Sequence, residues 1–410
     1  MPSAATHPHP HRPAMRDILA RPHVPALLVG TLVGRLPTAM APLALLLAVR
    51  SAGGPVLLGA ALAGLYGLAS AVGQPLLGRL VDRTRLAPVA ALAASVAFVA
   101  FTGLAVLDLA TEPIAAGALA VLAGAATPPL EAGLRALWPR LVPDPAEQQV
   151  AYALDSVSQE IVFVAGPLAA TALGQLISPA VALWACGVIG GCGAAVVATR
   201  PPACWAPVTR REVHWSGPLR SRGLLLLLAA MLCLGVSLGA FNVLALAVAD
   251  LNGTGWLSGL LPAALSAGSV AGGILYTRSP WPLSLPRQLL AAAGGYAICV
   301  APLLFTTVPQ AAVAFSICPG LYLAPLLTCA FLLCDRLAPE GTATEAAAWL
   351  IAVIGVGQAL GTAVAGRLAV HGTTAIATAV VLSAALTAAV LLPRADLLNI
   401  TPNTPLEKSA

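Results

Sequence analysis

Charge is what this chain has least of. Asp, Glu, Lys and Arg together make up only 9% of its 410 residues, and among 21 cations Lys408 is the single lysine. A soluble domain carries about 25% charged residues, so the water-facing surface of an ordinary globular protein is excluded. One lysine among so many alanines is what a GC-rich bacterial gene would encode. Ligand patterns are missing too. The eight cysteines (Cys186, Cys192, Cys204, Cys233, Cys299, Cys318, Cys329 and Cys334) include no CxxC pair and no Cys/His cluster, and most fall inside apolar runs. They read as small packing residues, with no metal site. There is no H-E-x-x-H, no P-loop and no intact G-x-G-x-x-G, so neither a cofactor nor direct nucleotide coupling is expected. Gly235-Val236-Ser237-Leu238-Gly239 spells G-x-S-x-G, but it sits inside an apolar run, where the strand, turn and helix of a nucleophile elbow have no place. The chain is not read as an enzyme. His7, His9 and His11 alternate with prolines in a start that reads as disordered; metal capture there is a second reading.

What remains is apolar. Hydrophobic residues reach 59% and mean hydropathy is +0.89. Runs bounded by Pro, Gly or charge fall at about 24–49, 55–77, 87–108, 113–134, 150–174, 180–198, 223–249, 256–277, 288–307, 310–333, 345–369 and 374–392. In hydrocarbon the backbone must satisfy its own hydrogen bonds, so each run of this length reads as a membrane helix. The expected architecture is an all-α membrane protein of twelve spans. Its parts are a disordered cytoplasmic N-terminus (1–23), a first six-helix half (24–199), a cytoplasmic linker (200–222), a second six-helix half (223–393) and a cytoplasmic tail (394–410). The first run is too long for a signal peptide and is expected to be retained.

Arginine placement orients this plan. With the N-terminus in the cytoplasm, only Arg50 and Arg367 face outward and Arg35 lies within the first span; the other cations fall on the cytoplasmic side. The positive-inside rule then puts both termini in the cytoplasm of a cell whose inner membrane holds the protein. The net charge of +5 is explained by this placement, and nucleic-acid binding is not expected. A faint repeat supports two equivalent halves: at a constant offset of 195, Gly64 meets Gly259, Gly73 meets Gly268, Gly78 meets Gly273, Arg83 meets Arg278 and Gly166 meets Gly361. A parallel repeat about an axis normal to the membrane predicts matches of this kind.

After the second span comes Gly78-Arg79-Leu80-Val81-Asp82-Arg83-Thr84-Arg85. Here the chain resembles the major facilitator superfamily, whose loop between helices 2 and 3 follows G-x-L-a-D-r-x-G-r-k. Gly78, Leu80, Asp82 and Arg83 match, whereas Arg85 stands at the second glycine. The resemblance covers nearly the whole chain and implies alternating access, usually as a monomer. It also implies that the acid meets the cytoplasmic start of helix 11, here Gly341-Thr342-Ala343-Thr344-Glu345, where a helix dipole favours an anion. Asp82 is expected to dock there and Arg83 to pair with Glu345; ordinary positive-inside anchoring is the alternative. The fifth span matches part of the family's g-x-x-x-G-P-x-x-G-G antiporter pattern at Gly166-Pro167, with Val162, Ala170 and Thr171 at the other glycine positions. The family link leans towards efflux; physically the pair makes a thin, bent helix contact.

Ionisable groups deep in apolar runs point to function. Arg35 in the first span and Glu160 in the fifth lie at similar depth, roughly 16 Å and 14 Å along their helices. Three roles stay open: a fixed Arg35–Glu160 ion pair, a proton-binding Glu160 modulated by Arg35, and direct substrate contact. Asp155 lies nearer the cytoplasm on another face, either an inner proton relay or, as preferred, an interfacial acid paired with loop arginines. Glu131 and Arg135, four apart, read as a pair on one helix face. Gln358 is placed to hydrogen-bond substrate or another helix. The expected function is secondary transport of a small molecule, coupled to protons, with export of a largely apolar compound preferred. Proton-coupled uptake of an anion at Arg35 is the first rival, and a non-transporting sensor or scaffold the second.

Overall fold

The computed structural model describes residues 15–205, 217–253, 256–278, 283–305, 308–392 and 398. Twelve helices there are long and apolar enough to cross a membrane: α1 Val24–Ser51, α2 Leu57–Arg83, α3 Leu86–Val106, α4 Pro113–Leu141, α5 Pro145–Leu176, α6 Pro179–Ala198, α7 Arg222–Leu251, α8 Leu257–Arg278, α9 Leu285–Phe305, α10 Pro309–Leu337, α11 Ala343–Leu368 and α12 Thr373–Leu391. Several outrun the apolar runs, because their polar ends stay helical. Asp144 caps α5, accepting from the Ala146 N–H at 3.2 Å, and Pro145 suits the first helical position, where its missing N–H costs nothing. Part of the start expected to be disordered is ordered instead. Met15–Leu19 is helical, Ile18 is buried, and Arg21 pairs with Glu147 and donates to the Leu141 carbonyl at 3.4 Å. Residues 1–14, with the alternating histidines, lie outside the described residues, as do 206–216 of the linker and all of the tail but Leu398.

In α4 the helix is interrupted between Ala125 and Leu130, at Thr127-Pro128-Pro129. Proline supplies no N–H and disfavours helical geometry in the residue before it. The second segment, Leu130–Leu141, therefore starts afresh inside the protein and carries Glu131 in its first turn, where a carboxylate is favoured by the helix dipole.

The repeat seen in the sequence marks equivalent helix crossings. α2 packs on α4 and α8 on α10; a Cβ at Gly73 would lie 2.3 Å from the Ala125 carbonyl oxygen, and one at Gly268 2.1 Å from that of Ile317. α1 packs on α5 and α7 on α11, where a Cβ at Gly166 would meet the Ala39 Cβ at 2.5 Å and one at Gly361 the Val236 carbonyl oxygen at 2.0 Å. Between the halves, α2 lies on α11 and α5 on α8, with Gly78 against Thr344 and Glu345 and Gly273 against Val157. Without a hydrophobic drive between helices in lipid, such close backbone contact supplies the dispersion energy that holds them. We expect Gly361→Leu to abolish recovery of monodisperse protein by size-exclusion chromatography. Gly64→Ala, whose Cβ would meet nothing within 4 Å, should be neutral; equal yields for both would contradict this packing.

Candidate functional site

Between the halves lies a cavity of two lobes. One, of about 520 Å³, is bounded mainly by α1, α2, α5 and α11 and includes Arg35, Ser70, Gln74 and Glu131. The other, of about 790 Å³, is bounded by α5, α7, α8, α10 and α11 and includes Glu160, Asn242, Trp256 and Ser266. Gln159, Phe163, Ile354 and Gln358 belong to both and form the waist. At the arginine-rich end the halves are joined. Away from it the walls run on to exposed Leu68, Leu168 and Trp256, so the cavity opens at the opposite end.

The joined end is held by α2 and α11. Asp82 accepts from the backbone N–H of Thr344 at 3.1 Å and of Glu345 at 2.8 Å, satisfying two donors that the start of a helix leaves without partners. Arg79, not Arg83, pairs with Glu345, through Nε at 3.0 Å and Nη2 at 2.6 Å. Arg83 is exposed. α2 remains helical through Arg83; Gly78, Arg79 and Asp82 reach α11, while Arg83, four residues on from Arg79, ends the helix and is exposed. Helical register alone does not choose between Arg79 and Arg83, which are four apart; the start of α11 packed against Gly78 does.

A ring of four buried charges lies deeper. Arg35 Nη2 contacts Glu131 Oε2 at 2.7 Å; Arg135 Nη1 contacts Glu131 Oε1 and its Nε contacts Asp155 Oδ2, both at 2.5 Å; Asp155 Oδ1 returns to Arg35 Nη1 at 3.8 Å. Positive and negative alternate, so with all four ionised the ring is neutral. Phe331 of α10 stacks on the Arg135 guanidinium, 3.2 Å from ring centroid to Cζ, and Arg135 Nη2 donates to Gln159 at 3.5 Å. Asp155, 1% exposed, is therefore not an interfacial acid serving loop arginines; its partner is on α4. The interruption of α4 brings Glu131 and Arg135 to the depth of Arg35 and Asp155, which span counting alone did not show.

Glu160 stands apart from the ring. It accepts a hydrogen bond from Ser266 Oγ of α8 at 2.6 Å, which ties one half to the other. The Arg35–Glu160 ion pair, one of the three roles left open by the sequence, does not form; Glu131 holds the Arg35 guanidinium. Among the described residues no cation is in ion-pair distance of Glu160. Gln358 is at the waist, and Pro167 lines the larger lobe one residue beyond the Gly166 crossing. Ser266 and Phe331 carried no signal in the sequence, since a serine or phenylalanine in an apolar helix is ordinary. Ser237 of the G-x-S-x-G run is fully buried, 3.2 Å from the Tyr296 hydroxyl and donating to the Val380 carbonyl at 3.1 Å, a packing role. All eight cysteines are free thiols.

Twelve spans in two equivalent halves around a central cavity define a membrane transporter that works between its halves. The sequence profile of the Major Facilitator Superfamily matches residues 27–362, and the chain belongs to that family. Among solved structures it is similar to a bacterial homologue of the iron transporter ferroportin in an outward-facing state, with TM-score 0.69 and 15% identity over 89% of this chain and 98% of that one. It is also similar to the human organic anion transporter MFSD10 (TETRAN), with TM-score 0.66 and 16% identity over 92% of this chain and 100% of that one. Identities this low establish the fold alone. No curated protein sequence matches the chain.

Proposed function

We propose that this chain is a proton-coupled exporter of a small, largely apolar compound, working as a monomer in the plasma membrane with both termini cytoplasmic. The observation that carries the reading is Glu160, an ionisable group in the cavity wall that no cation offsets and that bonds across the halves to Ser266. A proton arriving on Glu160 changes both the charge of the cavity and the cross-half hydrogen bond. It thereby changes the relative stability of the two access states, which is the requirement for coupling. Among described residues the open end carries only Arg50 and Arg367 as cations, so the positive-inside rule turns the open cavity outward. Arg35 is offset by Glu131, which removes the ground for uptake of an anion there. A scaffold would have no use for an unpaired acid in a cavity wall.

The test is transport in inside-out vesicles across a compound panel, with and without an imposed proton gradient. Wild type is expected to accumulate a compound only with the gradient, and Glu160→Gln to fall to background. Gradient-driven accumulation by Glu160→Gln equal to wild type would remove Glu160 from the mechanism and move the search to Asp155.

A further inference from the structure

We infer that Phe331 is a positioning residue of the gate: the attraction between its ring face and the Arg135 guanidinium biases the arginine-rich end towards closure, and the contact breaks when that end opens. The inference needs only that access alternates between the halves. It is independent of the direction, the coupling ion and the compound proposed above. It starts from how Arg135 is held. Among the described residues, its hydrogen-bond and ion-pair partners all belong to its own half. Its carbonyl accepts from the Tyr152 hydroxyl of α5 at 3.1 Å, and the edge of its guanidinium is taken by Glu131, Asp155 and Gln159, on α4 and α5. These partners move with Arg135, so they hold the plane of the guanidinium in both access states. What they leave is the face.

A guanidinium directs its N–H groups outward in its own plane and is weakly hydrated, so its face takes an aromatic ring readily. The ring that covers it comes from the other half: Phe331 of α10, 3.2 Å from centroid to Cζ and 3% exposed. Its place on α10 makes the contact depend on the access state. α10 reaches the joined end at Leu337, and about one turn before Phe331 the Thr328 hydroxyl donates to Ser156 of α5 at 3.3 Å. Opening the arginine-rich end parts α10 from α4 and α5, so Phe331 leaves and water reaches the guanidinium. Phe331 also lines the smaller lobe, which makes it the partition between cavity and ring. The Arg79–Glu345 pair at the same end is partly exposed and screened by solvent. The stack is buried on both sides, and a cation over an aromatic face is attracted most strongly where both are desolvated.

Fluorine separates attraction from packing. It withdraws electron density from the ring face, where the quadrupole is negative, and adds little volume, so the fluorinated chains keep the fold. Position 331 is filled by amber suppression in the full-length chain with phenylalanine and its mono-, di- and trifluorinated analogues. Spin labels at exposed Thr84 and Pro339, in a background freed of native cysteines, report the distance across the end in mixed micelles. The series is run with native Asp82 and with Asp82→Asn, which loosens the same end and brings the open form into range. The ratio of long to short distances should rise with each fluorine, by about tenfold from phenylalanine to the trifluorinated ring, and Phe331→Leu should open the end at least as far. The same analogues at Phe241 of α7, buried and over no cation among the described residues, should leave the ratio unchanged. Equal ratios across the series in both backgrounds, or a graded rise at Phe241 as large as at Phe331, would overturn the inference. A ratio that moves only in Phe331→Leu would overturn it too, because it assigns the contact to packing.

Discussion

Arg135→Ala is expected to cost about 3–5 kcal/mol of stability in chemical unfolding from mixed micelles, the usual penalty for leaving a buried charge without its partner. The guanidinium is 1% exposed, contacts both Glu131 and Asp155, and carries Phe331 of the other half on its face. Removing it leaves the ring with one net negative charge and an empty space beneath an aromatic ring. The loss is electrostatic first and packing second, and a double substitution separates the two. Arg135→Gln with Asp155→Asn keeps a hydrogen-bonding side chain at each position, restores neutrality and leaves the Arg35–Glu131 pair in place. It should recover most of the stability, giving a coupling energy well above the 0.5 kcal/mol or so at which independent sites add. A double variant as unstable as Arg135→Ala would mean that shape around Phe331, not charge balance, is what the ring provides.

The second large effect is conformational. Asp82→Asn removes the charge that faces the start of α11 and weakens two hydrogen bonds to backbone N–H groups. Charge-assisted bonds at a helix N-terminus contribute about 1–2 kcal/mol each way they are measured, and a change of that size alters a two-state ratio by about 5–30-fold. Because the bonds join the halves at the arginine-rich end and exist only while that end is closed, their loss should fall on the access equilibrium more than on folding. Pulsed-dipolar distances between spin labels at exposed Thr84 and Pro339, in a background freed of native cysteines, should shift from one short population towards a longer one. Arg79→Ala should move the same ratio less, since Arg79 is a quarter exposed and solvent screens its pair with Glu345. Unchanged distances in Asp82→Asn would show that the glycine contact at Gly78 keeps the end closed without the acid.

The sequence by itself determined the number of spans and their grouping into halves. Both depend on local properties, run length against bilayer thickness and arginine asymmetry, whereas the contact of Asp82 with the start of α11 was implied by the family resemblance, with positive-inside anchoring as its alternative. The repeat at offset 195 was legible for the same reason, since backbone crossings at Gly73, Gly268, Gly166 and Gly361 require the same small residue wherever the geometry recurs. Pairing was decided by the tertiary structure alone. Depth along a helix placed Arg35 beside Glu160, but partner choice depends on azimuth and on helix irregularity. The Pro128-Pro129 interruption turned Glu131 and Arg135 into the ring and left Glu160 to Ser266 of the other half. Likewise the start of α11, packed against Gly78, gave Glu345 to Arg79 and not to Arg83. A charge in a low-dielectric interior takes the nearest complementary group that packing presents, and that group is set by how helices distant in sequence are rotated against one another.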